Sequence, residues 1–205
     1  MNKARKEKEV ATIETKNAMF GIGLLMIAGL GCGGAQPHEP QVDRLSPSVL
    51  FPMKQGYVWS YDVDTGEGLN TLAISRVLSV RAGRVEMSTG GSEAMVYQTG
   101  RDGISRGDDD TWVLKAPIKK DARWKSPVGQ AIVLSTDEKV STKAGEFKDC
   151  VRIQEQSEDA SRQVDTVYCP EVGPVLIDSR MTLKLAGGQS QVVARLLGYT
   201  QGTEP

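Results

Sequence analysis

The chain of 205 residues has few of the side chains that most catalytic sites use. Histidine occurs once, as His38, inside a segment typical of a linker, which excludes a Ser-His-Asp or Cys-His mechanism. Three cysteines leave a zinc site without enough ligands. The 25 basic and 26 acidic residues nearly balance and form no basic stripe, which argues against nucleic acid binding. We therefore expect no catalytic residue, no cofactor and no metal.

Long hydrophobic runs are also absent. The longest uncharged apolar run, Ala18 to Gly31, has 14 residues, whereas a membrane-spanning helix needs about 20. A leader with five basic and three acidic residues precedes the run, and small residues close it. This order predicts a secretory signal peptide over residues 1–31.

Cys32 stands directly after that signal, in the sequence Gly29-Leu30-Gly31-Cys32-Gly33. The pattern resembles the lipobox of bacterial lipoproteins, although Gly29 stands where a lipobox usually has Leu. The resemblance implies cleavage after Gly31 and a diacylglycerol on the Cys32 thiol. Gly33, where an Asp would favour the inner membrane, implies the outer membrane, facing the periplasm or the cell surface. The alternative is an ordinary signal peptide that contains a cysteine.

Residues 32–48 are predicted to comprise the cysteine expected to carry lipid, Cys32, and a flexible tether. Its sequence is rich in Gly, Pro and polar residues and lacks apolar periodicity. Sixteen residues from Gly33 onward can reach about 50 Å from a bilayer. His38 lies here between Pro37 and Glu39, so we interpret it as a solvated linker residue.

Residues 49–200 form one predicted domain, followed by a short tail over residues 201–205. Apolar and polar residues alternate over short stretches, and Gly-containing turn signals recur about every 8–15 residues. No long segment keeps a helical apolar stripe without a Gly or Pro. The pattern predicts an all-β fold, an antiparallel curled sheet that forms a half-barrel or a sandwich.

An internal duplication is suggested by two pairs of matching segments. Residues 52–59 and 117–124 both have a proline, an aliphatic residue and a lysine, then a tryptophan after four more positions. Residues 78–85 and 140–147 both have Ser, then a basic residue, Ala and Gly at matching positions. We therefore expect two related halves in which Trp59 and Trp124 are buried core anchors. A ligand platform formed by the two rings is the alternative.

The alternation also predicts which strand residues face the core. The apolar positions of one parity are Leu72, Ile74, Leu78 and Val80 in the first half, and Ile132, Leu134 and Val140 in the second. If the sheet closes incompletely, an apolar groove should remain, and ligand binding is its natural use.

Residues 147–170 predict a hairpin centred on Asp159-Ala160. This register puts Val151 opposite Tyr168 and gives one mostly apolar face; a one-residue slip would mix the two faces. It also puts Cys150 directly opposite Cys169. Two opposed cysteines in an exported protein predict a disulfide.

Three weaker patterns have simpler explanations. Residues 62–67 partly resemble a calcium loop but lack its distant glutamate, so a hairpin turn is preferred. Asp108, Asp109 and Asp110 are interpreted as a solvated turn. A pair of carboxylates that meets only in three dimensions stays open, because sequence spacing does not exclude it.

Several segments resemble a family of bacterial exported proteins and lipoproteins that includes TapB-like domains of unknown function. They are residues 51–61, residues 140–151, and the segment Tyr168-Cys169-Pro170-Glu171-Val172-Gly173-Pro174-Val175. Cys169 stands where these domains often have Ala. The resemblance brings no catalytic residue. Two function classes remain: a non-enzymatic binding or assembly module that meets a lipid, glycan or protein of the envelope, or a carboxylate-based hydrolase of envelope glycans.

Overall fold

A computed structural model describes residues 43–107, 110–183 and 187–202. The signal peptide, Cys32, His38, Asp108 and Asp109 lie outside this part of the chain. Within it, no helix has both the length and the apolar character needed to cross a membrane.

The described residues form one short helix and twelve strands. The helix α1 spans Pro47–Leu50, so it begins inside the segment predicted as tether. The strands are β1 Val58–Asp64, β2 Thr71–Arg81, β3 Arg84–Thr89, β4 Met95–Gly100, β5 Gly103–Arg106, β6 Trp112–Lys115, β7 Arg123–Lys125, β8 Gln130–Thr142, β9 Gly145–Gln156, β10 Arg162–Cys169, β11 Gly173–Leu183 and β12 Gly188–Thr200.

All twelve strands belong to one antiparallel sheet that curls until it is nearly closed into a barrel, which confirms the predicted all-β fold. The order is β6-β5-β4-β3-β2-β1-β12-β11-β10-β9-β8-β7. The first half, β1–β6, and the second half, β7–β12, are therefore each a six-stranded meander. They pair through β1 and β12 in the middle, and β6 and β7 form the two edges. We call the gap between these edges the seam.

The two tryptophans occupy matching places in the halves. Each is the second residue of the first strand of its half, β1 or β7. Trp59 is fully buried and Trp124 is 5 % exposed. The prediction that both rings are core anchors is confirmed.

The matching Ala-Gly pairs both lie at the hairpin between the second and third strands of a half, but their geometry differs. Ala82 and Gly83 have φ values of 48° and 83° and form the two central residues of the turn. Two positive values are the signature of a type I′ turn, which matches the twist of a hairpin. In the second half Thr142 pairs with Gly145, so Lys143 and Ala144 form the turn.

The predicted core parity is wrong for most of these positions, although Val80 and Val140 do pack against the core. Leu72, Ile74 and Leu78 are 63 %, 41 % and 44 % exposed, and Val80 is half-buried. Ile132, Leu134 and Val140 are half-buried, whereas their neighbours Ala131 and Val133 are fully buried.

The cause of this error in the first half is the pairing of β2 with β1. Trp59 lies opposite Ser75, and Tyr61 lies opposite Ala73. Opposed residues in an antiparallel pair share a face. The large aromatic rings of β1 therefore decide which face of β2 is inside, and the more apolar parity of β2 is left on the convex surface.

The β9–β10 register matches the prediction at every position. Val151 pairs with Tyr168 and Gln156 pairs with Gln163. The turn is longer than a two-residue turn centred on Asp159-Ala160. The amide of Ser157 donates to the carbonyl of Arg162 at 2.9 Å, and residues 158–161 lie between them. In this register the structure joins Cys150 and Cys169 in a disulfide whose Cα atoms are 4.2 Å apart.

The segment before β1 closes one end of the curled sheet. Leu50, Phe51 and Met53 are all buried there. The Phe51 ring lies 5.5 Å from the Trp59 ring, edge-on, and 5.9 Å from the Tyr168 ring. The amide of Glu171 donates to the carbonyl of Val49 at 2.7 Å, which fixes this segment to the β10–β11 turn.

Candidate functional site

A cavity of about 220 Å³ lies on the concave face of the sheet. Its walls come from both halves and from the segment that closes one end. The lining residues are Phe51, Trp59, Tyr61, Ser75, Met87, Thr89, Met95, Tyr97, Val113, Thr166, Tyr168, Pro174 and Ile177. No lining residue has a charged side chain, so the cavity suits an uncharged apolar group.

Hydrogen bonds hold the aromatic wall in place. They come from Tyr57, just before β1, and from Trp59 and Tyr61 on β1. The Tyr57 hydroxyl donates to the carbonyl of Glu171 at 2.6 Å, and the Trp59 indole donates to that of Val172 at 2.6 Å. The Tyr61 hydroxyl donates to the carbonyl of Pro174 at 2.9 Å. Three side chains of the first half thus hold one turn of the second half, which fixes the rings before any ligand arrives.

A glycine makes this close approach possible. Gly173 has a φ of 102°, and a Cβ at this position would lie 2.9 Å from the indole nitrogen of Trp59. Any side chain here would push the ring away from the carbonyl that it bonds. Glycine therefore serves both the backbone conformation and the position of the aromatic wall.

The polar atoms inside the cavity are uncharged. Burial raises the pKa values of Tyr61, Tyr97 and Tyr168, so their hydroxyls stay neutral. The hydroxyls of Ser75 and Thr89 lie 2.9 Å apart and bond each other. These groups can orient a ligand, but they offer no charge to hold an ion.

Charge occurs close to the cavity, around Glu155 on β9. Burial raises the pKa of the Glu155 carboxyl, while the Ser126 side chain, Arg162 and Arg106 act to lower it. Glu155 also lies close enough to Tyr168 to raise the pKa of that phenol. The carboxyl of Glu155, which is partly buried, thus lies within electrostatic reach of two arginines, Arg162 and Arg106.

Two poorly accessible acids of the second half, Glu155 and Asp165, do not meet. Glu155 pairs with Val164 on the concave face, whereas Asp165 pairs with Gln154 on the convex face. The Asp165 carboxylate accepts hydrogen bonds from the side-chain amides of Gln154 and Gln163, at 2.9 and 2.8 Å. This pair therefore does not form the two-carboxylate site that a glycan hydrolase would need.

The loop with a partial likeness to a calcium site uses its acids locally. Asp62 accepts hydrogen bonds from Lys143 and Asn70, both at 2.8 Å, and Lys143 is the first cause that lowers its pKa. The Asp64 carboxylate accepts from the amide of Gly66 at 2.8 Å. Among the described residues, no three His, Cys, Asp or Glu side chains gather where they could hold a metal ion.

Sequence reasoning missed most of the cavity. Met87, Met95, Tyr97 and Ile177 were not singled out, because they come from three strands, β3, β4 and β11, that are distant in sequence or separately patterned. The usable signal was Tyr57-x-Trp59-x-Tyr61, an alternation that places three aromatic side chains on one face of the chain.

Comparisons with known proteins show a distant likeness only. No family model matches the chain, and no curated protein matches it. One similar solved structure, from Bacteroides fragilis, is described as a "putative exported protein with YmcC-like fold"; its TM-score is 0.42 at 14 % identity, covering 74 % of this chain and 98 % of that one. Another, a "putative lipoprotein" from Parabacteroides distasonis, has a TM-score of 0.39 at 13 % identity, with the same coverage. The resemblance to TapB-like domains stays an expectation.

Proposed function

We propose that this protein is a non-enzymatic binding module of the cell envelope that holds a small apolar group in its concave cavity. The single observation behind the proposal is the cavity itself. Aromatic and methionine side chains form much of its wall, and no lining residue has a charged side chain. A concave apolar site with a few oriented polar groups is the usual form of a ligand site.

The size of the cavity limits what it can hold. Its volume, about 220 Å³, is below the range of roughly 300–1,000 Å³ typical of drug-sized ligands. A single ring or a short stretch of hydrocarbon chain fits this space. Each methylene that is fully buried contributes about 0.8 kcal/mol to binding, so even a short chain would bind measurably.

The hydrogen bonds of Tyr57, Trp59 and Tyr61 support binding rather than simple core packing. They hold the wall in place without help from a ligand. A preformed site avoids the cost of ordering side chains when the ligand arrives. Half-buried residues, including Met95, Val113 and Ile177, line part of the cavity and give it access to solvent.

Location and anchoring belong to the same proposal. The predicted signal peptide and the lipobox-like sequence at Cys32 direct the chain to the envelope and attach it to a bilayer by lipid, at the outer membrane. The disulfide between Cys150 and Cys169 fits an oxidising compartment. Changing Cys32→Ala should move the protein from the membrane fraction to the soluble fraction; a variant that stays with membranes would contradict the anchor.

Binding of N-phenyl-naphthylamine, an uncharged aromatic probe that fluoresces in apolar sites, tests the cavity. The full chain carrying Cys32→Ala avoids competition from its own lipid. We expect saturable binding that Met95→Trp, which fills the cavity from its wall, weakens at least about tenfold, a loss of about 1.4 kcal/mol. The matched control is Leu72→Trp on the convex face, which should bind as the parent does. Binding that Met95→Trp leaves unchanged would refute the site.

A further inference from the structure

An apolar surface leads out of the cavity along β11 and β12. Ile177 lines the cavity, and β11 pairs with β12 from Leu176 to Leu183 without a register shift. Every second residue after Ile177 therefore faces the same concave side. We call this surface the strip and define it as Ile177, Met181 and Leu183 of β11 together with Val192 and Ala194 of β12. The small polar side chains of Ser179 and Ser190 lie on the same face between them.

The strip is long and open. Ile177 and Leu183 are six residues apart, which is about 20 Å along a strand. Met181 and Leu183 are 42 % and 39 % exposed, so they are among the few large apolar side chains that the described residues leave in solvent. An open apolar track that begins in an apolar cavity fits a ligand longer than the cavity alone can hold.

A positive charge lies beside the outer part of the strip. Arg162 is exposed and pairs directly with Met181, so both side chains face the concave side. Arg162 also lies near Glu155, together with Arg106. A ligand lying along the strip would thus place its outer end beside the guanidinium of Arg162.

The backbone around the strip argues against a peptide ligand. Both neighbours of β11, β10 and β12, pair with it along the strip, from Leu176 to Met181. A peptide laid across this face would find no free backbone groups to pair with, and its own amides would lose water without compensation. A hydrocarbon chain has no such groups to satisfy.

We propose that the cavity and the strip together hold the single acyl chain of an anionic amphiphile. The end of the chain lies in the cavity, the chain follows Ile177 and Met181, and its carboxylate or phosphate lies at Arg162. This inference rests on the proposed binding function and names the ligand class. Two sources share this chemistry: a free fatty acid and a single-chain phospholipid.

Chain length gives the first test. Octanoate, dodecanoate and hexadecanoate are titrated against the full chain with Cys32→Ala, with displacement of N-phenyl-naphthylamine as the readout. Full burial of one methylene is worth about 0.8 kcal/mol, or about fourfold in affinity. We expect affinity to rise from octanoate to hexadecanoate, and Met181→Ser to weaken hexadecanoate about tenfold while leaving octanoate unchanged. The matched control, Leu72→Ser on the convex face, should alter neither.

The head group gives the second test. Arg162→Gln should weaken hexadecanoate and leave its uncharged methyl ester unchanged. Lysophosphatidylglycerol measured beside hexadecanoate identifies the source, since the tighter of the two is the better candidate. Met181 and Arg162 are exposed, so both variants should fold, and circular dichroism with a urea unfolding curve verifies this.

The outcomes separate the two proposals. If the aromatic probe binds and Met95→Trp weakens it, but affinity does not depend on chain length or on Met181, the acyl-chain inference is overturned while the binding function stands. If acid and methyl ester respond equally to Arg162→Gln, the place of the head group is overturned. If neither the probe nor any fatty acid binds, both proposals fail.

Discussion

The two halves of the sheet carry the same tryptophan in the same strand position but use it differently. Trp59 lies on β1, which is paired on both sides, by β2 and β12. Trp124 lies on β7, a three-residue strand at an edge of the sheet. Only Trp59 lines the cavity. The two matching tryptophans are therefore both buried anchors, and the surroundings decide whether such an anchor also lines the cavity.

Each tryptophan also bonds to the opposite half. The Trp59 indole donates to Val172 in the second half, and the Trp124 indole donates to the carbonyl of Trp112 in the first, at 2.9 Å. The second bond crosses the seam between β6 and β7. One anchor thus fastens the middle of the sheet to the β10–β11 turn, and the other holds the two edges together.

The largest expected effect comes from removing these anchors one at a time. Trp59→Ala should lower the free energy of unfolding by about 4–5 kcal/mol, because the ring is fully buried and stacks on Tyr57 at 4.6 Å. Trp124→Ala should cost less, about 3 kcal/mol, and should speed hydrogen exchange in β6 and β7. Urea unfolding with amide exchange measures both. Equal losses in the free energy of unfolding would show that Trp124 at the edge stabilises the fold as much as Trp59 does.

The disulfide is a second difference between the halves, and its removal should have the next largest effect. It links β9 to β10 in the second half, and its cysteines are 19 positions apart. Replacing both residues, Cys150→Ser with Cys169→Ser, should lower the free energy of unfolding by roughly 3 kcal/mol in the chain-entropy model. Amide exchange should quicken in β9 and β10 and stay unchanged in β2 and β3. Free thiols in protein alkylated during isolation would contradict the bond.

Two acids on opposite faces of the second half should give opposite pH trends. Arg152, whose guanidinium bonds the Glu138 carboxylate at 3.1 Å, lowers the pKa of Glu138. That acid stabilises the fold above its unfolded pKa, and the gain is lost as pH falls through the lowered folded value. Glu138→Gln should therefore cost about 0.5–1 kcal/mol at neutral pH and nothing in acid.

Glu155 should behave in the reverse way. Burial raises its pKa, so the folded state holds the proton more tightly than the unfolded state does. Its stabilising contribution is present at low pH and is lost as pH rises through the raised folded value. Relative to the parent, Glu155→Gln should become more stable as pH rises. Unfolding curves from acid to neutral pH measure both variants, and parallel trends would contradict the opposite pKa shifts of Glu138 and Glu155.

The smallest effect is expected on the convex surface of the first half. Leu72 is 63 % exposed, so Leu72→Ser should change the free energy of unfolding by less than about 0.5 kcal/mol. Val77→Ser, five residues along the same strand but fully buried, should cost several times more. The pair measures the parity of β2 directly. A large loss at Leu72 would restore the parity that the apolar pattern predicts.

The sequence was most informative where two constraints coincided. In β9–β10, the apolar face and the opposed cysteines demand the same register, and the structure has it. In β2 only the apolar pattern was available, and it pointed to Leu72, Ile74 and Leu78. The residues that face the core there, Ser75 among them, are small because the rings of β1 fill the space opposite them.

The cavity was beyond such reasoning for a related reason. Its walls combine Trp59 and Met95 from the first half with Tyr168 and Ile177 from the second. A strand pattern shows which residues share a face, but it does not show how tightly the sheet curls. The curl alone decides whether those side chains fill the centre or leave a space.

Because the first strand pairs with the last, neighbouring strands are hydrogen-bonded all the way around the sheet except at the seam between β6 and β7. Val58 lies opposite Thr200, so the two ends of the domain meet in the middle of the sheet, while the covalent link between the halves runs through residues 116–122 at the seam. A circular permutant that joins the natural ends and opens at the seam would keep every strand neighbour and reverse the order of the halves. In such a molecule the chain that leads into the domain would enter at the edge of the sheet rather than at its centre.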